Sequence, residues 1–255
     1  MKEWIVGRNP VYEVLRARRR QGFRLLLAEG SQEKGRLTDI IQLAASRKIS
    51  LERVSRQRLD SIGSNHQGIA LECSAYPYCS LPDILERAGQ LAEPPFILIL
   101  DALQDPQNLG TLLRTAEATG VHGVLLPLRH TATVTPAVVS ASSGASEHLL
   151  ITQANLAQAI ASLKQAGVWV IGLDAGSQAL PPDQVRLDGP LALVVGSEGQ
   201  GMRSLVRSSC DVLLRLPMRG QIESLNAAVA GSIALYLAWQ GRDYSNLSEI
   251  DSISH

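Results

Sequence analysis

Short apolar runs alternate with amphipathic segments over most of the chain. In the second half, five such runs read as strands, at residues 96–100, 123–127, 168–173, 191–195 and 212–216. Helical patterns follow them, at residues 108–119, from 135, at 155–166, at 202–206 and at 224–239. Unbroken apolar runs are typical of strands buried on both faces of a parallel sheet. The pattern therefore predicts an α/β fold, with a doubly wound sheet of five or six parallel strands.

The first 76 residues repeat the alternation on a smaller scale. Helical patterns cover residues 11–20, 32–47 and 58–62, and strand patterns cover 23–28, 51–54 and 68–73. These elements predict a small α/β sandwich over residues 1–76. Proline and a shift in composition mark residues 77–94 as a linker with one helix at 83–91. We expect a second domain over residues 95–242 and a disordered polar tail over 243–255.

Charge is distributed unevenly, although the formal net charge is zero. Residues 1–60 hold 14 Lys and Arg against 7 Asp and Glu, and the rest of the chain balances this excess. A basic front half suits an enzyme that grips polyanionic RNA, but a solvated helix face explains the same count. No apolar run reaches membrane-spanning length, and the first residues lack a signal-peptide pattern, so we expect a cytoplasmic protein without a membrane partner. The three cysteines lack the paired spacing of a zinc site, so we read them as reduced and expect no metal.

Candidate chemistry begins directly after the apolar run 191–195. Gly196-Ser197-Glu198-Gly199-Gln200-Gly201 carries three glycines, which allow a sharp turn and leave backbone N–H groups free for a ligand. Ser224 is a plausible N-cap for the helix that follows. Taken alone, the glycine loop indicates only an ordinary nucleotide site. It lacks the G-x-G-x-x-G spacing of dinucleotide enzymes and the Lys-Ser/Thr of a P-loop.

Three motifs together are more specific. A strand ends in Gly-Ser-Glu-Gly-x-Gly at 196–201, the next ends in Leu-Pro-Met at 216–218, and Ser-Leu-Asn at 224–226 opens a helix. This arrangement resembles the SpoU/TrmH family of RNA ribose 2′-O-methyltransferases. The segment Asp105-Pro106-x-Asn108-x-Gly110-x-x-x-Arg114 is similar to the first motif of that family. One departure is Ser140, where many members carry Lys.

The resemblance implies a set of site residues. The catalytic residues would be Arg114, Asn108, Glu198, Ser224 and Asn226. S-adenosylmethionine would lie against Leu173, Gly196, Leu216, Met218 and Leu225. Arg114 is the family's proposed proton acceptor, but a guanidinium rarely gives up its proton, which favours orienting the ribose and stabilising alkoxide charge instead. Without the resemblance, Asn108 would be a helix N-cap and Arg114 a surface arginine.

The resemblance also implies an architecture and partners. Members carry a deep C-terminal trefoil knot, here with residues from about Val212 to Leu237 threaded through the preceding loop. Their N-terminal substrate-binding domain is ribosomal protein L30e-like. They are typically homodimers, and the apolar helix near residues 227–239 is a candidate interface. The candidate RNA contacts, chiefly to phosphates, are Arg8, Arg16, Arg18, Arg19, Arg20 and Arg24.

The resemblance is compatible with two RNA targets. The N-terminal domain and the turn His66-Gln67-Gly68-Ile69 look most like members that methylate a guanosine in large-subunit ribosomal RNA. Transfer RNA is the alternative substrate. His66 could touch RNA, although a turn-capping role is favoured. A catalytically silent RNA-binding scaffold and a dinucleotide enzyme are the alternatives from other classes.

Overall fold

The computed structural model describes residues 2–222 and 224–244. An N-terminal region of seven elements comes first. Its elements are β1 (Lys2–Val6), α1 (Arg8–Ala17), β2 (Gly22–Ala28), α2 (Arg36–Ser46), β3 (Ser50–Val54), α3 (Arg56–Asp60) and β4 (Ile69–Ser74). The four strands form one sheet in the order β1-β4-β2-β3, with β4 antiparallel to both neighbours and β2 parallel to β3. The N-terminal region is thus a small α/β unit, as the alternating pattern indicates.

The C-terminal region begins after helix α4 (Leu81–Gln90). Its elements are β5 (Phe96–Leu100), α5 (Pro106–Ala118), β6 (Gly123–Pro127), α6 (Pro136–Ala141), β7 (Leu150–Ala154), α7 (Leu156–Gln165), β8 (Trp169–Leu173), β9 (Leu191–Val195), α8 (Ser204–Ser209), β10 (Val212–Leu214) and α9 (Ala227–Gly241). Six strands pair in the order β10-β8-β9-β5-β6-β7, and every pairing is parallel. The expected α/β fold with a parallel sheet is confirmed.

The central strands of this sheet are the most apolar ones. All five residues of β5, β6 and β9 are buried. Helices cover both faces, so two separate apolar clusters lie above and below the sheet. Parallel strands end at one edge, and ligand sites of open α/β sheets form at their carboxyl ends. The loops after β8, β9 and β10 therefore share one edge.

Two strands have no counterpart in the sequence-based assignment. Both β1 and β7 lie at sheet edges and mix charged or polar residues with apolar ones. These two edge strands lack the unbroken apolar run that identifies a central strand. Helix boundaries also shift: α1 ends at Ala17, because Arg18 adopts a left-handed backbone with φ of 57°. Arg18, Arg19 and Arg20 thus follow the helix instead of ending it.

A buried ion pair joins the two regions. The Nε and Nη2 atoms of Arg20 each donate a hydrogen bond of 2.9 Å to one oxygen of Glu147, and Nη1 donates to Glu3 at 2.7 Å. Arg20 is 1 % exposed and Glu147 is fully buried. Burial alone would lower the pKa of Arg20, but the carboxylates outweigh it and hold the pKa above its ordinary value. The prediction that Arg20 contacts RNA is wrong, because its guanidinium is enclosed by protein carboxylates.

Arg19 reinforces the same junction. Its guanidinium donates to the hydroxyl of Tyr76 at 2.8 Å, to the carbonyl of Pro77 at 3.1 Å and to the carbonyl of Leu149. The Tyr76 hydroxyl donates in turn to the Leu149 carbonyl at 2.6 Å. These partners occupy both nitrogens at the end of the side chain. The Arg19 guanidinium is thus committed to the junction, and its RNA contact stays a prediction.

Candidate active site

A cavity of about 360 Å³ opens at the carboxyl ends of β8, β9 and β10. Backbone from three loops forms its walls, as expected for adjacent parallel strands. Its lining includes all five residues assigned to the cofactor: Leu173, Gly196, Leu216, Met218 and Leu225. Aliphatic side chains and exposed backbone thus surround a space large enough for a small ligand.

Gly196 makes the close packing of this cavity possible. A Cβ at this position would lie 2.2 Å from the carbonyl carbon of Gly201 and 2.3 Å from the nitrogen of Met202. The loop closes on itself through two hydrogen bonds of 3.0 Å between the backbones of Ser197 and Gly201. Gly199 and Gly201 have φ of 77° and 66°, in the left-handed region that glycine tolerates best. The glycine spacing therefore reflects backbone contact within the loop.

Asp174 places a carboxylate at the rim of the cavity. Its oxygens accept hydrogen bonds of 2.7 Å from the Arg207 guanidinium and from the backbone N–H of Gly176. The Arg207 hydrogen bond, with that from Gly176, lowers the pKa of Asp174 below its ordinary value. Asp174 therefore stays ionised at neutral pH. The sequence motifs did not point to Arg207, which comes from α8.

A second carboxylate fixes the far end of the glycine loop. Asp101, at the end of β5, is fully buried. It accepts hydrogen bonds of 2.7 Å from the backbone N–H and from Nε of Arg203, just beyond the glycine loop. Sequence reasoning missed this pair, although an aspartate directly after the run Phe96–Leu100 was a usable signal. The pair holds the loops after β5 and β9 together.

Asn226 is hydrogen-bonded to two of the other proposed catalytic residues. Its side-chain oxygen accepts from the backbone N–H of Ala228 at 2.9 Å and of Val229 at 3.1 Å, so Asn226 caps α9. Its amide nitrogen donates to the Asn108 side chain at 3.1 Å and to the Glu198 carboxylate. A cavity of about 320 Å³ next to this group shares Ser197, Glu198 and Gln200 with the first one. A cluster of polar side chains therefore adjoins the first cavity.

Ser224 occupies a different place from the one predicted. The proposed N-cap role is wrong, because α9 starts at Ala227 and its cap is Asn226. Ser224 instead lines the first cavity. The run Ser-Leu-Asn offered two capping residues, and the sequence pattern did not separate them. Asp105, not Asn108, likewise caps α5, through a 3.0 Å hydrogen bond from Gln107.

Arg114 lies apart from the other four proposed catalytic residues. On a regular helix, residues six positions apart are separated by about 9 Å along the axis and about 120° around it. Arg114 accordingly lines a third cavity, of about 300 Å³, between α5 and the N-terminal region, and its Nη1 lies 3.4 Å from the Ser143 hydroxyl. One chain therefore does not gather all five predicted catalytic side chains at one cavity.

The remaining arginines assigned to RNA differ in their surroundings. Arg16 and Arg18 are exposed. Arg8 donates from Nε to the Gln67 carbonyl at 3.4 Å, and Arg24 lies 3.4 Å from Glu72. His66 serves the turn: its Nδ1 accepts from the Gly68 N–H at 2.9 Å. These contacts leave Arg16 and Arg18 as the most accessible of the predicted set.

The described residues were searched for a membrane-spanning helix and for a metal site. Within residues 2–222 and 224–244, no helix is long and apolar enough to cross a membrane. The same residues contain no group of three or more His, Cys, Asp or Glu side chains arranged to hold a metal ion. Of the tail predicted to be disordered, residues 245–255 lie outside the described part of the chain.

Each of the two regions matches a known protein family model. Residues 95–236 match the model of the SpoU rRNA Methylase family, and residues 4–79 match the model described as RNA 2'-O ribose methyltransferase substrate binding. The chain is 40% identical over 245 residues to YacO of Bacillus subtilis, named as a TrmH family tRNA/rRNA methyltransferase; the match covers 94% of this chain and 96% of YacO. A TrmH family relative from Staphylococcus aureus is 40% identical over 240 residues, with 93% and 96% coverage.

Solved structures show the same fold. The SpoU methyltransferase AviRb from Streptomyces viridochromogenes, crystallised with AdoMet, superposes with a TM-score of 0.78 at 21% identity, covering 96% of this chain and 92% of AviRb. An AdoMet-bound rRNA methyltransferase from Sinorhizobium meliloti gives a TM-score of 0.77 at 24% identity, with 94% and 87% coverage. Residues 95–236 match the family model, and the Bacillus relative matches 94% of the chain. The chain therefore belongs to the SpoU/TrmH family of RNA methyltransferases.

Proposed function

We propose that the protein transfers a methyl group from S-adenosylmethionine to the 2′-hydroxyl of an RNA ribose. The observation that carries this proposal is the cavity at the ends of β8, β9 and β10, with the Asn226 cluster beside it. The cavity suits the cofactor, because its aliphatic lining matches a purine and Asp174 offers a carboxylate to a cationic or hydroxylated ligand. When bound, S-adenosylmethionine supplies an already activated methyl group.

The chain's own residues must then align the acceptor and help remove one proton. Proximity and orientation dominate in such a displacement. We assign Asn108 to orienting the acceptor ribose, and Glu198 with Asn226 to holding Asn108 in place through their shared hydrogen bonds. Ser224 contacts the ligand at the cavity wall. Arg114 stabilises developing alkoxide charge and orients a substrate phosphate, because a guanidinium rarely gives up its proton.

The separation of Arg114 from this cluster supports a homodimer with shared sites. The exposed face of α9 carries Val229, Ile233 and Tyr236, which are 47%, 41% and 48% exposed. A helix that is apolar on all sides is normally buried, so α9 suits an interface with a second copy. We propose that each site takes Arg114 from one subunit and Asn226 from the other.

Mixing two inactive variants tests the shared site. Arg114→Ala and Asn226→Ala each disable both sites of a homodimer, but a mixed dimer keeps one site with both native residues. Random exchange of subunits should restore about a quarter of wild-type activity, as expected for a two-fold symmetric pair. Size-exclusion chromatography with light scattering checks the dimer itself. No recovery from a mixture shown to contain mixed dimers would mean that both residues act within one chain.

We further propose that the substrate is a guanosine in large-subunit ribosomal RNA. The match of residues 4–79 to a substrate-binding model supports an RNA-binding N-terminal domain over residues 1–76, with residues 77–94 as the linker. The test uses tritiated S-adenosylmethionine with transcripts of large-subunit ribosomal RNA and of transfer RNA, followed by mapping of 2′-O-methyl sites. Methylation of transfer RNA alone would reassign the target. Absence of transfer with retained RNA binding would favour the scaffold alternative.

The trefoil knot and the L30e-like N-terminal domain belong to the same proposal. Strand β10 lies at the sheet edge beside β8, although β9 precedes it in the chain. The segment before β9 also contacts β10, because Leu180 pairs with Leu214. Such crossing of neighbouring segments supports threading of residues from about Val212 to Leu237 through the preceding loop. The four-stranded sheet with helices in the N-terminal region supports an L30e-like fold.

A further inference from the structure

A cleft between the two regions contains Arg114 together with arginines that the catalytic proposal does not use. Its volume is about 300 Å³. We call it the arginine cleft; its charged lining consists of Arg16, Arg36, Arg114, Glu13, Glu117 and His148. We propose that the arginine cleft binds one phosphodiester of the substrate RNA, directly beside Arg114. This inference rests on the proposed function and adds Arg36 as an RNA-binding residue.

The balance of charges in the cleft favours an anion. Among the described residues, neither Arg36 nor Arg114 has a carboxylate within ion-pair distance. Glu13 is already engaged, because its Oε2 lies 2.7 Å from His148 Nε2 and 3.7 Å from Arg16 Nη1. Glu117 is the other carboxylate of the lining, so three arginines face two carboxylates, and among the described residues neither Arg36 nor Arg114 is held in an ion pair. A phosphate is the group that arginine recognises best.

Arg36 is held ready for such a contact. Its guanidinium stacks 4.0 Å from the ring centroid of Tyr12 on α1. Stacking leaves the N–H groups at the edge of the guanidinium plane free to donate in the plane. Arg36 lies on α2, Arg16 on α1 and Arg114 on α5, so three helices contribute one arginine each. A phosphate at this point would contact both regions of the chain.

The cleft has fixed walls, because the two regions are locked together beside it. The segment 142–149 forms one wall and is tied to Arg20 through Glu147 and to Arg19 through the Leu149 carbonyl. A Cβ on Gly144 would lie 2.6 Å from the Cβ of Glu13, so α1 packs directly on this segment. The distance between Arg36 and Arg114 is thus set by the fold and does not depend on a mobile linker.

Fixed walls give the cleft a defined role in the reaction. A phosphate bound by Arg36 would place the adjoining ribose near Arg114, whereas phosphate contacts elsewhere would only raise general affinity. The volume accommodates a single nucleotide unit and not a duplex. We therefore expect Arg36 to affect RNA affinity and KM, and Arg114 to affect kcat.

The experiment compares Arg36→Gln and Arg36→Lys with Arg87→Gln as a control, because Arg87 is exposed on α4 and lines none of the cavities described above. Filter binding with transcripts of large-subunit ribosomal RNA and of transfer RNA is measured over a range of salt concentrations. Loss of one phosphate contact should weaken binding by on the order of tenfold. It should also reduce the slope of log K against log salt by about 0.7–0.9. Arg36→Lys should keep the slope, since the charge remains.

The outcomes separate this inference from the proposed function. Methyl transfer by the wild type, with a raised KM and an unchanged kcat for Arg36→Gln, supports the cleft. Methyl transfer with wild-type affinity and slope for Arg36→Gln would overturn the cleft and leave the proposed function standing. Equal losses for the Lys and Gln variants would also overturn it, since they would show a packing role. No methyl transfer by the wild type to either RNA would overturn the proposed function, and the affinity and salt slope of Arg36→Gln would still decide whether the cleft binds a phosphodiester.

Discussion

The ion pair between Arg20 and Glu147 offers the sharpest test of how the two regions are joined. Glu147→Gln keeps the shape of the side chain but removes the charge and one acceptor. Breaking a buried ion pair by removing one partner costs about 3–5 kcal/mol, because the other charge stays buried. Glu3 remains 2.7 Å from Arg20 and partly neutralises it, so the lower end applies, about 3 kcal/mol.

Thermal unfolding measures this loss. For a chain of this size, 1 kcal/mol shifts the midpoint by roughly 2–4 °C, so we expect a decrease of about 6–12 °C. Differential scanning calorimetry of the full chain would report it, and a separate early transition would show that the N-terminal region detaches first. Asp188→Asn is the matched control, because Asp188 pairs with Arg186 on the exposed surface. The control should leave the midpoint unchanged.

A double replacement checks the electrostatic reasoning. Arg20→Met with Glu147→Met removes both fully buried charges and keeps an apolar fill. The Glu3 carboxylate loses its partner but is 19% exposed and so stays in contact with solvent. Replacing a buried pair in this way is often neutral or stabilising. The double variant should therefore be more stable than Glu147→Gln. A midpoint for Glu147→Gln equal to wild type, or a double variant less stable than the single one, would refute the assigned role of the pair.

Three further predictions concern the site and the sheet. Gly196→Ala should abolish binding of S-adenosylhomocysteine in calorimetry, because its Cβ would lie 2.2 Å from Gly201. Asn226→Ser should keep most of the α9 cap and yet reduce methyl transfer, whereas Asn226→Ala should also cost about 1 kcal/mol in chemical denaturation. His122 is buried and its pKa is lowered chiefly by that burial, so the unfolded chain takes up its proton first as pH falls. Stability should therefore decline below about pH 6.5, and His122→Asn should flatten that decline in urea titrations; an unchanged slope would contradict this.

The parallel sheet, and the shared edge at which its loops meet, were accessible from the sequence for one physical reason. The residues assigned to the cofactor came from the family resemblance. Unbroken apolar runs identify buried strands, and loops that follow neighbouring parallel strands meet at one edge. Leu173, Gly196 and Leu216 are distant in sequence, yet each follows or ends such a run. Their shared cavity follows from that regularity. The edge strands β1 and β7 carry no such run and were missed.

The arginines were less predictable, because the partner of a charged side chain is not a local property. Arg20 meets a carboxylate 127 positions away, and only the folded chain shows that the pair is buried. Arg114 and Asn108 share one helix, but the helical repeat points them to different cavities. A motif that lists both residues as catalytic does not reveal this separation. Whether Ser224 or Asn226 caps α9 likewise depends on the residue at which the helix begins, which the sequence pattern did not show.

An excess of positive charge in the first 60 residues is therefore an incomplete guide to RNA binding. Arg20 is enclosed, Arg19 is committed to backbone carbonyls, and Arg24 lies beside Glu72. These arginines stabilise the junction or the sheet, and their charges are largely taken up by protein partners. Arg36 was not among the predicted contacts, yet its guanidinium faces the arginine cleft and forms no ion pair with a carboxylate among the described residues. Since phosphate binding needs an uncompensated donor at a fixed position, the location of unpaired guanidinium groups predicts the RNA path better than their number.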